Sequence, residues 1–391
     1  MIVAQLSLAD FRNYETLEVD LVPGPNVFVG SNGQGKTNLV EAIAYLGTLG
    51  SHRVSSDQAL IRSGADAAVV RARLEHADRD VLLEVQLNRS GANRAQVNRV
   101  AVKPRELPRH IATVLFAPED LALVRGEPSG RRRFLDQLLV QLSPRFAGIL
   151  ADYDRVLRQR NSLLKSARGA RVADSRLSTL ELWDERLVEL GSSIIDGRAE
   201  LVERLRPKVS EAYEGIAGPG HRADLALELT TRGSQPEDGG ESIEAADENR
   251  AAGSAGTTTA EEFRAAVIRV RRSELDRGLS LVGPHRDDLL LVLNDLPARG
   301  YASHGESWSF ALSLKLASAA LLRAESQIGD PVVVLDDVFA ELDEARRAQL
   351  AAAIGGYEQV LITAAVLGDV PSVLAGHTIR IRAGAIVEEG S

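Results

Sequence analysis

Gly30-Ser31-Asn32-Gly33-Gln34-Gly35-Lys36-Thr37 stands between the apolar run Val27-Phe28-Val29 and the helically spaced stretch NLVEAIAYLGTL that begins at Asn38. The octet fits G-x-x-x-x-G-K-[ST], with a strand before it and a helix after it, the setting in which that pattern binds phosphate. Its glycines let consecutive backbone N–H groups turn inward around phosphate oxygens, and the helix start adds the positive end of its dipole. Lys36 is placed to neutralise β- and γ-phosphates, and Thr37 to offer its hydroxyl to Mg2+. The plain alternative is a Gly-rich strand-to-helix turn that happens to carry Lys-Thr.

Working outward, residues 1–30 read as short strands: IVAQLSL, LEVDLV, the turn PGPN, then VFVG. Residues 67–103 return to alternation (AAVVRARLEH, DVLLEVQLN, AQVNRVAVK), which predicts a small antiparallel sheet. From Gly130 the pattern becomes helical, and Leu180, Trp183, Leu187, Leu190 and Ile194 form one apolar seam. Trp183 is read as core. Residues 232–260 are rich in Gly, Ser, Asp and Glu with Ile243 the single aliphatic, so a mobile loop is expected there. A helix over Ala260–Leu281 follows. The last part alternates PVVVLDD, a helix through Leu350, and QVLITAA, which predicts a buried parallel sheet.

Within that alternation, Val332-Val333-Val334-Leu335-Asp336-Asp337 is a buried strand that delivers two carboxylates at its C-terminal edge, where open α/β sheets bind ligands. Asp336 suits Mg2+, and Asp337 suits the orientation or deprotonation of an attacking water. Taken alone, either acid could merely cap the helix that follows. With the phosphate loop, the pair specifies a nucleoside triphosphatase.

Composition narrows the class without naming it. The 391 residues are 44% hydrophobic and 26% charged, contain no cysteine, and carry a net charge of −9. No window is apolar enough for a membrane span, and the N-terminus lacks a signal-peptide pattern, so cytoplasm is the expected location. Absent cysteine excludes disulfides, thiolate nucleophiles and zinc-thiolate sites. Only five basic residues are lysines and 41 are arginines, the better residue for bidentate phosphate contact, although a general composition bias, with alanine also abundant, is the plainer reading.

A third motif, Ser303-His304-Gly305-Glu306-Ser307, opens the helix WSFALSLKLASAALL shortly before the acid-tipped strand. By itself it reads as an N-cap with a capping-box glutamate. Placed there, it resembles the signature turn of ABC-type ATPases, whose head-to-tail dimers use each turn to grip the γ-phosphate held by the other subunit. Further segments resemble the RecF family of bacterial recombination and gap-repair ATPases, relatives of SMC heads. They are Phe11-Arg12-Asn13-Tyr14; His52-Arg53 with Ser56-Asp57 and Leu60-Ile61; Leu115-Phe116-Ala117-Pro118-Glu119-Asp120-Leu121; Arg131-Arg132-Arg133-Phe134-Leu135-Asp136; Leu281-Val282-Gly283-Pro284-His285-Arg286-Asp287-Asp288; and Asp336-Asp337-Val338-Phe339-Ala340-Glu341-Leu342-Asp343. In this order they span nearly the whole chain. Two departures stand out: Glu306 replaces the glutamine of many RecF signature turns, and Thr363-Ala364 stand where an ABC switch histidine would follow QVLIT.

The resemblance implies an α/β fold: an ABC-ATPase, SMC-like head with mixed and parallel sheets around the P-loop, plus an inserted helical lobe. The expected domains are residues 1–124 and 281–391 for the two parts of the head and 125–280 for the lobe. It implies an ATP-dependent DNA-binding protein of gap repair that acts as a weak, DNA-stimulated ATPase. Such a protein dimerises with ATP on double-stranded or gapped DNA and works with RecR, RecO and RecA, supporting replication restart and SOS induction. The expected catalytic residues are Lys36, Asp337 and Ser303. Gly30, Ser31, Asn32, Gly33, Gln34, Gly35, Lys36, Thr37, Ser303 and Gly305 would bind ATP, and Thr37 and Asp336 would hold Mg2+. Arg53 is a candidate phosphate contact or a surface arginine; Arg12 and Asn13 either border the nucleotide or anchor the strand-to-turn junction. Rival readings are a P-loop phosphotransferase or kinase, which has no use for a signature turn, an SMC-like structural ATPase, whose coiled coils this length cannot supply, and a scaffold that binds ATP without hydrolysing it.

Charge leaves one more candidate. From Asp154 to Arg176 there are seven basic residues (Arg155, Arg158, Arg160, Lys165, Arg168, Arg171 and Arg176) and two acids. This strip is a DNA-facing candidate, a solvated helix face being the alternative. Arg131–Arg133 bind either DNA or acids within the lobe, and His285–Asp288 are expected to order a loop rather than hold a metal.

Overall fold

The computed structural model describes residues 1–77, 79–167, 174–234, 257–326 and 328–387. They form two compact units: Met1–Arg125 with Leu205–Ala223 and Leu293–Ser391, and Gly126–Arg204 with Asp224–Val292.

In the first unit, β1 (Ile2–Phe11), β2 (Tyr14–Asp20), β4 (Ala67–His76), β5 (Arg79–Asn88), β6 (Arg94–Val97) and β7 (Val100–Val102) make one antiparallel sheet in the order β2-β1-β4-β5-β6-β7. The strands over 67–103 therefore extend the N-terminal hairpin. The register explains it: Leu6 faces Ala72 and Leu8 faces Val70, which puts buried apolar residues of β1 and β4 on one side.

A second sheet combines β3 (Gly24–Val29), β8 (Thr113–Phe116), β12 (Val332–Asp336), β13 (Gln359–Ala364), β14 (His377–Arg382) and β15 (Ala385–Val387) in the order β15-β14-β3-β13-β12-β8. Every neighbouring pair from β14 to β8 is parallel, and only β15 runs antiparallel. Each residue of β12 is buried, as its unbroken apolar run requires of a central parallel strand. Helix α1 (Lys36–Thr48) touches both sheets, with Leu39, Val40, Ile43 and Leu46 fully buried in the core they share. Around this frame lie α2 (Leu121–Arg125), the short β11 (Leu296–Pro297), the one-turn α7 (Ala298–Tyr301), α8 (His304–Glu325) and α9 (Glu344–Ile354).

The second unit is mainly helical. It contains α3 (Pro128–Leu142), α4 (Phe146–Ala167), much of α5 (Asp174–Ala217), and α6 (Thr259–Arg277), with the strands β9 (Ala223–Glu228) and β10 (Asp288–Leu293). The α5 seam is observed: Leu180, Leu187, Leu190 and Ile194 are buried, while Trp183 is only partly buried, packed at the edge of the core cluster. Helix α6 ends before Leu281 because Gly278, at φ 72°, takes the left-handed position that closes a helix; Thr258 and Glu261 cap its start reciprocally. Of the loop expected over 232–260, residues 235–256 lie outside the described residues.

The DNA-facing strip needs correction at Arg160. Its guanidinium has no exposure and is held by Asp184, Glu274 and Ser280. Arg160 lies on the stripe Tyr153, Val156, Leu164 and Ala167 that α4 turns inward, so its helix phase outweighs its charge. Arg155, Arg158 and Lys165 are exposed, whereas the side chains of Arg168, Arg171 and Arg176 lie outside the described residues. Arg131 is likewise internal, with Nε 2.8 Å and Nη2 2.6 Å from the Asp288 carboxylate. Arg132 donates to the Asp287 carbonyl at 2.8 Å. Asp287 itself accepts from the backbone and the hydroxyl of Thr230, both at 2.8 Å, so the two adjacent acids order separate segments.

Candidate ATPase site

The phosphate loop leaves β3 at Gly30, where the backbone allows no side chain: a Cβ there would sit 2.2 Å from the Ile381 carbonyl oxygen of β14. Gly35 has φ 111°, and a Cβ on it would meet Asn13 Nδ2 at 2.7 Å and the Tyr14 hydroxyl at 2.8 Å. Gly33, at φ 79°, is also left-handed, so all three glycines are demanded, by close approach, by conformation or by both. The loop is held from outside: Tyr14 donates to the Gly35 carbonyl at 3.1 Å, and Gly384 N–H to the Gln34 carbonyl, also at 3.1 Å. Lys36 is buried at the first turn of α1, with Nζ 3.4 Å from the Ser31 carbonyl.

The next residue, Thr37, donates its hydroxyl to Asp336 Oδ1 at 2.9 Å, joining residues 299 positions apart. Thr363 Oγ1 donates to the same oxygen at 2.7 Å and accepts from the Asp337 N–H at 2.9 Å. The parallel register sets this up, since Asp336 on β12 lies beside Thr363 on β13. In the place of a switch histidine, a threonine ties both acids to the sheet. Burial raises the Asp336 carboxyl, but the neighbouring His52 and the hydrogen bonds from Thr363 and Thr37 outweigh it and hold it below its ordinary value. Asp336 therefore stays an anion beside Thr37, a hard oxygen pair of the kind that suits Mg2+.

Asp337 sits at φ 52° in the left-handed region, which aspartate tolerates better than most residues. Burial raises its carboxyl, with Lys36 pulling the other way. The two acids thus diverge, one held anionic and one pushed toward accepting a proton, the pattern expected of a metal ligand beside a base.

Arg12 is an anchor. Its guanidinium makes two bonds to Glu41, at 2.9 and 2.7 Å, and a third to the Ala59 carbonyl. Asn13 reaches the Gln34 carbonyl at 3.4 Å, so it lines the loop. Arg53, partly exposed, donates to Asn38 Oδ1 at 2.9 Å on the first turns of α1.

Ser303 caps α8 through a reciprocal box: its hydroxyl accepts from the Glu306 N–H at 3.3 Å, and its own N–H donates to Glu306 Oε2 at 2.8 Å. These bonds lower the Glu306 carboxyl, so the acid that replaces glutamine is spent on its own helix start. Arg346 supports the turn from α9: Nε donates to Ser309 at 3.1 Å, and the guanidinium lies against Gly305. Ser303 is exposed, and no hydrogen bond or ion pair among the described residues joins it or Gly305 to the phosphate loop.

Sequence reading missed Thr363, His52 and Glu41. Only tertiary contact reveals the first two; the third could have been suspected as a carboxylate on the buried face of α1.

A Gly-rich loop opening α1, an acid-tipped central strand and a separate Ser-x-Gly-Glu helix start together define a P-loop ATPase head of the ABC type. The family model described as the RecF/RecN/SMC N terminal domain matches residues 2–370. The chain is 62% identical to the DNA replication and repair protein RecF of Leifsonia xyli, covering 99% of this chain and 100% of that protein. It is 51% identical to the RecF of Streptomyces avermitilis, covering 99% of both. Among solved structures, the recombination mediator protein RecF-ATPrS in the RecFOR pathway superposes with a TM-score of 0.84 at 28% identity, covering 100% of this chain and 98% of that one. The chain belongs to the RecF family of DNA replication and repair proteins.

Proposed function

We propose that this chain is a DNA-repair ATPase in which ATP joins two copies into a DNA-binding dimer and hydrolysis releases it. The observation that carries the reading is the convergence of Lys36, Thr37, Asp336, Thr363 and Asp337 at one sheet edge, while Ser303 and Gly305 present an open helix start that makes no bond to their own phosphate loop. A helix N-terminus attracts anions, so this turn suits the γ-phosphate held by a second copy. The head is formed by the two ends of the chain, and the helical lobe is inserted between them.

In this reading the backbone of residues 30–37 cradles the phosphates and Lys36 neutralises the charge that builds during transfer. Asp337, pushed upward by burial, orients and deprotonates the attacking water. Ser303 and Gly305 hold the terminal phosphate from the opposite subunit. Thr37 and Asp336 fit Mg2+, which when bound supplies positive charge at the phosphate oxygens. Because ATP favours only the dimeric state, it acts as a timer. Turnover is slow and DNA-stimulated. The partners are double-stranded and gapped DNA and RecR, with RecO and RecA in the same pathway, in the cytoplasm.

The test is solution mass and turnover with saturating ATP. Wild type should reach twice the 42.1 kDa of one chain. Asp337→Asn should stay dimeric while turnover falls by about 100-fold or more, as loss of a general base does. Ser303→Arg should bind ATP yet remain monomeric, and Lys36→Ala should bind ATP poorly. A wild type that stays monomeric with bound ATP refutes the sandwich.

A further inference from the structure

His52 lies at the metal corner without a role in the reading above. Its side chain is 13% exposed, and Nε2 faces Asp336 Oδ2 at 3.7 Å, just beyond hydrogen-bond reach, with no hydrogen-bond partner among the described residues. The two bonds from Thr37 and Thr363 both fall on Asp336 Oδ1. Among the described residues, His52 alone addresses the second oxygen. A carboxylate held at one oxygen alone can still turn about its last bond, a soft torsion with broad wells. A group at the other oxygen sets its plane.

The loop carrying His52 is tied to the same helix that starts at Lys36. Ser51 Oγ accepts from the N–H groups of Arg53 at 2.9 Å and Val54 at 3.1 Å, which folds the backbone around His52. Ser51 donates in turn to Glu41 Oε1, a carboxylate 1% exposed on α1 that Arg12 grips with two bonds. A closed circuit results: α1 places Thr37 at its start and, through Glu41 and Ser51, places His52 across from it, with Asp336 between them. Glu41 thus acquires a purpose that its burial alone does not give.

We propose that His52 is a positioning residue for the Mg2+ site, setting the Asp336 carboxylate so that its oxygens and the Thr37 hydroxyl present one hard-cation face. The inference rests on the ATPase reading above and deepens it by adding the residue that orients the metal ligand. Groups that orient a first ligand shape metal affinity strongly, and their loss costs about 10- to 100-fold.

The experiment uses the full chain, His52→Ala and His52→Gln, with a fluorescent ATP analogue. Binding is titrated with MgCl2 and repeated in EDTA, and melting without nucleotide is recorded for each protein. In His52→Ala the half-saturating Mg2+ should rise about tenfold, while affinity in EDTA stays within about twofold and the melting curve is unchanged. His52→Gln, whose amide nitrogen reaches the position of Nε2, should recover most of the loss. An unchanged Mg2+ titration in His52→Ala overturns the proposal. So does an equal loss in EDTA, which would make His52 a loop-folding residue only. A wild type that binds the analogue with no Mg2+ dependence overturns the metal assignment of Thr37 and Asp336, and a wild type that does not bind it overturns the ATPase reading itself.

Discussion

Replacing Arg160 with alanine probes the inside of the helical lobe and the meaning of its basic strip together. Arg160 Nε lies 2.7 Å from Asp184, Nη1 2.6 Å from Ser280 and Nη2 2.5 Å from Glu274. Without it, Asp184 keeps Arg271, whereas Glu274, fully buried, keeps among the described residues only the Leu281 N–H at 2.9 Å. Breaking a buried ion pair from one side leaves an uncompensated charge and costs about 3–5 kcal/mol. Urea denaturation slopes of about 2 kcal/mol per molar convert that into a midpoint shift of about 1.5–2.5 M. Far-UV circular dichroism follows the helices, and in a Trp308→Phe background the fluorescence of Trp183, the other tryptophan, reports the lobe itself. The double variant Arg160→Met with Glu274→Gln removes both charges and should recover more than half of the loss, because neutral groups of similar size replace buried pairs at little cost. A single variant that loses less than about 1 kcal/mol, or a double variant no better than the single, refutes the reasoning. So would normal stability with weakened DNA binding, which would return Arg160 to the surface strip.

Two further outcomes follow from the geometry. Gly30→Ala puts a Cβ 2.2 Å from the Ile381 carbonyl, a backbone atom that cannot swing aside, so β3 or β14 must shift; equilibrium binding should show at least a tenfold loss of ATP affinity with a modest stability cost of about 1–3 kcal/mol. In the lobe, burial pushes His285 down to about 3 and Asp287 up to about 6. The stability tied to neutral His285 is complete above its unfolded value of 6.5 and is lost as pH falls toward about 3. The stability tied to protonated Asp287 is complete below 3.8 and is lost as pH rises through about 6. At about 1.4 kcal/mol per unit the two slopes oppose and nearly cancel between pH 6 and 3.8, so melting temperature should change little there and fall below 3.8, where the histidine acts alone. Over the same window His285→Asn should raise the melting temperature on acidification, leaving Asp287 alone, and Asp287→Asn should lower it, leaving His285 alone; unchanged slopes in both would refute the assignment.

What was legible in the sequence was whatever is local. The phosphate loop, the VVVLDD strand and the Ser303 cap each fit within a few residues, and their chemistry follows from spacing. The α5 seam was readable for the same reason, because one helix face is a periodicity. The Asp336 corner was only half readable. Thr37 and Asp336 could be matched by pattern, but Thr363 enters through strand register and His52 through a loop fixed by Glu41, and neither relation is written in any contiguous stretch. Arg160 is a different case, since its signal was present. Tyr153, Val156, Leu164 and Ala167 mark the buried face of α4 and Arg160 falls in phase with them. Counting charges along the strip concealed what helix phase would have shown.

Arginine usage draws these points together. An excess of arginine over lysine reads either as composition bias or as phosphate contact, since a planar fork reads phosphate better than an ammonium does. The same fork reads carboxylate, and inside this protein it does so repeatedly: Arg12 on Glu41, Arg131 on Asp288, Arg160 on Asp184 and Glu274, and Arg198 on Asp136. The first of these orders the loop that carries His52; the other three tie together lobe segments far apart in the chain. A lysine at any of them would offer a point charge and a flexible stem in place of two fixed donors, and would leave part of a buried carboxylate unsatisfied. These arginines are committed to the fold before any phosphate arrives, and so are the acids they grip. The charge available to nucleotide or DNA is therefore set by the residues left outside these pairs, not by the chain's net −9.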